Sequence, residues 1–221
     1  MDKAQYTNLA KAWEYTEEHA RERELPSIAA VRERAEQSSQ PQGSAAQAQL
    51  LAMLVHITGA SSVIAVGTGS LVETVQLAHA LNGNGQLTAV DSTAQGIAMI
   101  RKVFAELQDT TDISLRAVNA PASVFLPRLN ANDYDMIVVA GDAANYAATF
   151  AQASRLLRAH GIIAFTDVLA LSSDNGGVLD AADRSAKATA MRELIATVEE
   201  NDAFESTLTP DGTGLLLAVK K

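Results

Sequence analysis

The run Val63-Ile64-Ala65-Val66-Gly67-Thr68-Gly69-Ser70 constrains this chain more than any other stretch. An apolar segment short enough for a buried strand breaks into a glycine turn, and Leu71, Val75 and Ala78 follow at helical spacing. Such a strand–turn–helix unit brings bare backbone N–H groups and a helix N-terminus to the carboxyl edge of a sheet, where a nucleotide-like ligand can sit. The alternation continues downstream. Strand 86–91 ends in Asp91, and helix 95–108 places Ile97, Ile100, Phe104 and Leu107 near a 3.6-residue period. A short strand near 112–117, a helical turn to Leu129, strand 134–140, helix 145–158 (Tyr146, Phe150, Ala153 and Leu157 inward) and strand 161–166 before Asp167 complete the series. This order predicts an α/β fold with a mostly parallel, doubly wound sheet and right-handed crossovers. The end breaks the rhythm. After a helix with Met191, Leu194, Ile195 and Val198 on one face, segments 203–209 and 214–219 flank Pro210-Asp211-Gly212-Thr213. That turn is too short for a crossover helix, so the pair is expected to be an antiparallel hairpin.

Before the first strand, residues 2–36 read as a helical arm. Glu14, Glu17, Glu18, Arg21, Glu22, Arg23 and Glu24 crowd one segment, which suits a solvated face; a lid or dimer arm is the other reading. Ser38–Ser44 reads as a connection, and Leu50, Leu51, Leu54 and Ile57 mark a buried helix over 45–57. A single domain is expected, with a helical N-terminal arm over 1–40 and the core over 41–221. The formal charge of −9 argues against nucleic-acid and anionic-membrane partners, both of which need basic patches. No apolar run approaches a membrane span, and the N-terminus lacks the basic start and apolar stretch of a signal peptide. With no cysteine, disulfides, thiolate metal sites and a cysteine nucleophile are excluded. A cytoplasmic protein is expected. The four histidines are scattered without metal-ligand spacing and read as structural or surface residues.

Five βα units closed by an antiparallel hairpin resemble the Rossmann-like class I S-adenosylmethionine-dependent methyltransferases. The motifs are similar to those of the catechol O-methyltransferase-like family of small-molecule O-methyltransferases over roughly residues 40–221. "SSVIAVGTGSLVETVQLA" resembles its glycine motif and "LTAVDSTAQGIAMIRKVF" its second strand with an acidic end. "YDMIVVAGDAANYAATFAQASRLLRAHGIIAFTDVLA" is similar to the fourth and fifth strands and the helix between them, and "FESTLTPDGTGLLLAVKK" to the closing hairpin. The resemblance implies a seven-stranded sheet with helices on both faces, S-adenosyl-L-methionine as cofactor, a small hydroxylated substrate and a homodimer. It implies that Gly67, Thr68 and Gly69 let the backbone approach the methionine part, that Asp91 accepts from both ribose hydroxyls, and that Ser92, Asn119 and Ala120 lie by the adenine. A strand-end turn remains the other reading of Asp91, and an ordinary loop that of Asn119 and Ala120.

The chain departs from the family at several positions. Ala65 replaces an acidic residue that contacts the amino end of the cofactor, Leu71 a glycine, and Glu73 a small hydroxyl residue that meets the cofactor carboxylate. A carboxylate at 73 repels that group unless it turns away or is protonated. The family's divalent cation is held by an Asp on strand four and an Asp-Asn pair after strand five; matching positions here are Ala140, Asp167 and Val168. Ala143 stands at the family's lysine. One carboxylate does not make a magnesium site, so no bound metal is expected, although Asp142 could swing in. Asp167 is left as the candidate catalytic base, with a turn-capping role as its alternative. Asn145 and Tyr146 either line the pocket or open the next helix, where Asn145 suits a cap. Ser172–Gly177 reads as a loop that gates the pocket or merely links to the last helix. Metal-independent or metal-impaired O-methyl transfer is the leading functional expectation. A non-catalytic protein binding S-adenosylmethionine or S-adenosylhomocysteine is the alternative. A nicotinamide oxidoreductase fits less well, for want of a third glycine and because of the hairpin.

Overall fold

The computed structural model describes residues 3–40, 42–67, 71–172 and 176–221, with the side chains of residues 3–6 set aside. Thr68, Gly69 and Ser70 of the glycine motif, and 173–175 of the loop after Asp167, lie outside the described residues. Two helices come first, α1 (Lys3–Glu22) and α2 (Pro26–Gln37), followed by α3 (Ala45–Thr58). The alternating series is β1 (Ser62–Val66), α4 (Leu71–Ala80), β2 (Gln86–Asp91), α5 (Ala94–Gln108), β3 (Ser114–Asn119) and the short α6 (Ala122–Phe125). It continues through β4 (Tyr134–Val139), α7 (Ala144–Leu156), β5 (Leu157–Thr166) and α8 (Ala186–Glu199), and closes with β6 (Phe204–Thr209) and β7 (Leu215–Lys220).

The seven strands form one sheet in the order β3-β2-β1-β4-β5-β7-β6. The first five pair in parallel, and β7 inserts antiparallel between β5 and β6. Every residue of β1 is buried, as a central strand covered on both faces requires. Its side chains alternate between the layers. Val63 and Ala65 join Leu51, Val75, Ile100 and Ile28 on the face covered by α2–α5, and Ile64 and Val66 join Tyr146, Phe150, Phe165 and Met191 on the face covered by α6–α8. Chain reversal occurs between β1 and β4, so the carboxyl ends of these strands open a crevice where the strand order switches.

Local chemistry explains the helix limits. Ser44 accepts from the Gln47 N–H at the start of α3, Thr93 from Gly96 at α5 and Ser185 from Ala188 at α8, each satisfying a free amide of the first turn. The N-terminal segment departs from a uniformly solvated arm. Pro26 starts a second helix whose Ile28, Val31 and Ala35 enter the core. Glu24 and Arg32, eight residues apart across that break, form a buried bidentate pair. Two strand limits also shift. β3 starts at Ser114, two residues later than expected, and none of its residues is fully buried at this sheet edge. Leu157 opens β5 rather than closing α7, and a register irregularity separates its pairing with Tyr134 from that of Ile162 with Met136. Among the described residues no helix is long and apolar enough to cross a membrane.

Candidate active site

Gly67 ends β1 with φ +95°, a conformation open to glycine. Its N–H donates to the Val90 carbonyl at 2.9 Å, and a Cβ here would lie 2.2 Å from the Ala140 carbonyl oxygen. That contact is why the turn must be glycine: the ends of β1, β2 and β4 converge on it. Asn145 closes the same corner, its side-chain N–H donating to the Ala140 carbonyl at 3.0 Å. Ala143 is the cap residue of α7 and offers no side-chain bond, so Asn145 is not the cap; Asp142, one residue earlier, accepts from the Ala144 N–H through Oδ1 at 2.8 Å.

One strand over, Asp91 is buried at the tip of β2. Its Oδ1 accepts from both the amide and hydroxyl of Thr93, each at 2.7 Å, which folds the turn into α5. Asn119, paired with Asp91 in the sheet register, donates to the Asp91 and Thr93 carbonyls at 3.2 Å, and Ala120 N–H donates to the Asp91 carbonyl at 3.0 Å. Gly67, Asp91, exposed Ser92, Asn119 and half-buried Ala120 are therefore gathered at one sheet edge. Thr68 and Gly69 lie outside the described residues.

The β4–β5 edge opens into a cavity of about 910 Å³ between the sheet, α1, the start of α3 and the β6–β7 turn. Glu73, Gly43, Ala140, Gly141, Thr166 and Asp167 are among its walls, whereas the Asp91–Asn119 corner lies outside them. Asp167 follows β5 with φ +56°, an uncommon backbone for a residue with a side chain and one often found at functional sites. Its Oδ2 accepts from the Lys187 ammonium of α8 at 2.6 Å; the same ammonium donates to the Gly141 carbonyl at 3.0 Å and sits 5.4 Å over the Tyr146 ring. Tyr146 is fully buried with its hydroxyl donating to the Thr166 carbonyl at 2.8 Å. Burial, reinforced by the Asp167, Glu73 and Asp142 charges, holds its phenol well above its usual range, so it supports the edge and does not titrate there. Lys187 was missed in the sequence because α8 reaches Asp167 only through the tertiary fold.

Two further residues need their surroundings to be understood. Val168 is fully buried in the apolar layer with Phe165 and Tyr146, turned from any ligand role. Glu73, on the first turn of α4, is 2% exposed, and neither carboxylate oxygen has a hydrogen-bond partner among the described residues. Burial pushes its carboxyl up to about 8, with the Arg32 charge pulling down and the Asp167 charge adding to the rise. It has not turned away from the cavity; the protonated form is what the fold favours.

The profile of the O-methyltransferase family matches residues 16–221. A relative from Mycobacterium leprae that carries an O-methyltransferase name is 30% identical over 194 residues, covering 88% of this chain and 84% of its own. Among solved structures, a Corynebacterium glutamicum protein superposes with a TM-score of 0.80 at 21% identity over 95% of this chain and 97% of that one. An O-methyltransferase from Bacillus cereus, solved in complex with SAH, gives 0.79 at 18% identity over 96% and 99%. The fold is thus the Rossmann-like methyltransferase fold. The chain belongs to the O-methyltransferase family of enzymes.

Proposed function

We propose that the chain is an S-adenosylmethionine-dependent O-methyltransferase that acts on a hydroxyl of a small molecule without a divalent metal. The observation that carries this reading is the Lys187–Asp167 pair at the mouth of β4 and β5. The residues at this edge do not fit a magnesium ion, which needs several hard oxygens in near-octahedral order. Ala140 and Val168 bring no side-chain oxygen, Asp142 is tied to the α7 amide, and Asp167 already carries an ammonium. Among the described residues no three His, Asp or Glu side chains group as ligands. No step is therefore routed through a metal.

The chemistry that remains is sufficient. The substrate hydroxyl gives its proton to the Asp167 carboxylate as its oxygen forms a bond to the methyl carbon. Bound S-adenosylmethionine would supply the methyl group through its sulfonium, the carbon–sulfur electron pair remaining on sulfur so that the homocysteine product is a neutral thioether. Lys187 places a positive charge beside the oxygen as negative charge develops there, the electrostatic support a transition state needs. The sulfonium is already electrophilic, so alignment supplies much of the remaining acceleration. Asp91 would accept from the ribose hydroxyls, with Gly67 giving the backbone close approach; the B. cereus structure with SAH supports this cofactor class. Calorimetry with S-adenosylhomocysteine, with and without EDTA, tests the reading. Saturable, chelator-insensitive binding is expected, and no binding at millimolar ligand overturns it. Transfer of labelled methyl groups to a panel of phenols and alcohols in EDTA then separates an enzyme from a non-catalytic binder.

A further inference from the structure

We propose that Glu73 is the counter-ion for the ammonium group on the cofactor's amino-acid tail, an inference that rests on the S-adenosylmethionine reading above. A carboxylate removed from water with both oxygens unpartnered is costly, and native folds rarely keep one without a use. The Arg32 charge acts on it but does not resolve it. Arg32 spends its guanidinium on both oxygens of Glu24 and on the Gly43 carbonyl at 2.8 Å. Gly43, so anchored, leaves the room that Glu73 occupies: a Cβ there would lie 2.7 Å from the Glu73 Oε1. Gln42 completes the clamp by accepting from the Val72 N–H at 3.0 Å. The carboxyl group is thus held at the cavity wall with no hydrogen-bond partner among the described residues.

The ligand that suits this position must bring both positive charge and N–H donors. Glu14, Glu17, Asp167 and Asp211 also line the cavity, against Arg21, so its field favours a cation. S-adenosylmethionine carries two positive centres, of which the sulfonium has no N–H to donate and must face the methyl acceptor near Asp167. The ammonium has three donors and satisfies both Glu73 oxygens. Ala65 lies on the same face of β1 as the layer holding α4, so no strand carboxylate competes for that ammonium.

The test compares S-adenosylhomocysteine with 5′-methylthioadenosine, which keeps the adenosine and thioether but lacks the amino-acid tail. In calorimetry at pH 7, Glu73→Gln is expected to weaken S-adenosylhomocysteine binding at least tenfold and 5′-methylthioadenosine less than twofold; the second ligand thereby reports an intact fold. Equal or tighter S-adenosylhomocysteine binding by Glu73→Gln overturns the proposal. A measurement on the unaltered protein keeps it falsifiable if the variant does not fold. Pairing with the ammonium ionises Glu73, in the field of Arg32, Asp167 and Tyr146, so S-adenosylhomocysteine binding should release a proton, seen as an enthalpy that varies with buffer ionisation enthalpy. A buffer-independent enthalpy overturns the proposal. Failure of the unaltered protein to bind S-adenosylhomocysteine at all overturns the cofactor reading instead.

Discussion

The two halves of the sheet edge are built differently. At the β1–β3 corner the work is done by main chain: Gly67 and Ala120 amides and the Asp91 and Val90 carbonyls lock the strand tips together, with Asp91 and Asn119 bracing the turn. At the β4–β5 mouth the main chain leaves alanine and valine where chemistry is expected. The charge at this mouth arrives from α8, as Lys187 reaching Asp167 and the Gly141 carbonyl. A corner made of backbone tolerates sequence drift, whereas an edge made of side chains can be dismantled and rebuilt from another element. Family membership therefore says more about the first half than about the second.

The contrast breaks hardest at Gly67. Gly67→Ala places a Cβ 2.2 Å from the Ala140 carbonyl and asks alanine for a φ of +95°. A loss of on the order of 3–5 kcal/mol is expected, read as a shifted urea midpoint or as absence of folded protein. Wild-type stability would show that the corner is not backbone-locked. Next in size is the pH dependence set by Glu73. Its carboxyl titrates near 8 in the fold against 4.5 when unperturbed, so between those values the folded state holds a proton that the unfolded chain has lost. The stabilisation is complete below about pH 4.5 and fades as pH rises through 8, by about 5 kcal/mol as an order of magnitude. Denaturation of the ligand-free protein from pH 5 to 8.5 should show this decline, and Glu73→Gln should remove it. A decline that survives the substitution would assign it to another group.

Much of the fold was legible because its signals are local. β1 and β4 are short apolar runs between breakers, and a four-residue turn between two strand patterns admits only a hairpin. The candidate site was legible where its residues sit in strand-end turns, as Gly67 and Asp91 do. It was hidden where tertiary packing decides. Lys187 lies 20 residues from Asp167 and looks like any lysine opening a helix. Asn145 is a credible cap of α7 by sequence, and only geometry puts its side chain on the Ala140 carbonyl and Asp142 on the first amide of the helix. Glu73 stands out by sequence as a carboxylate that must turn away or be protonated, and only its 2% exposure at the cavity wall chooses between the two. Glu24 and Arg32 sit in a charge-rich run that suggests solvent, yet they pair inside because Pro26 redirects the chain.

The side-chain-built edge predicts that catalysis and cofactor binding separate. Lys187→Met keeps a long apolar stem over Tyr146 and removes only the charge. Turnover is expected to fall about a hundredfold, the scale of a lost electrostatic or acid–base group, with S-adenosylhomocysteine affinity within twofold. Thermal stability should change little, because the Lys187 and Asp167 side chains are 30% and 38% exposed and water screens the pair. An equal fall in turnover and cofactor affinity would mean that the two regions act as one.

Asp91 gives the smallest expected effect and the sharpest division between its two roles. Its Oδ1 is the acceptor for Thr93, so Asp91→Ala removes a turn brace and a ribose acceptor together. Asp91→Asn can keep the Thr93 bonds through its carbonyl oxygen while losing the charge and half the acceptor capacity that a ribose diol needs. If Asp91 holds the ribose, both variants weaken S-adenosylhomocysteine binding by about tenfold, equivalent to about 1.4 kcal/mol, and only Asp91→Ala lowers the melting temperature. If Asp91 serves the turn alone, Asp91→Asn binds as the wild type does and Asp91→Ala loses stability without a specific loss of affinity. Calorimetry and melting curves on the two variants therefore decide whether the backbone-built corner also recruits a side chain to the cofactor.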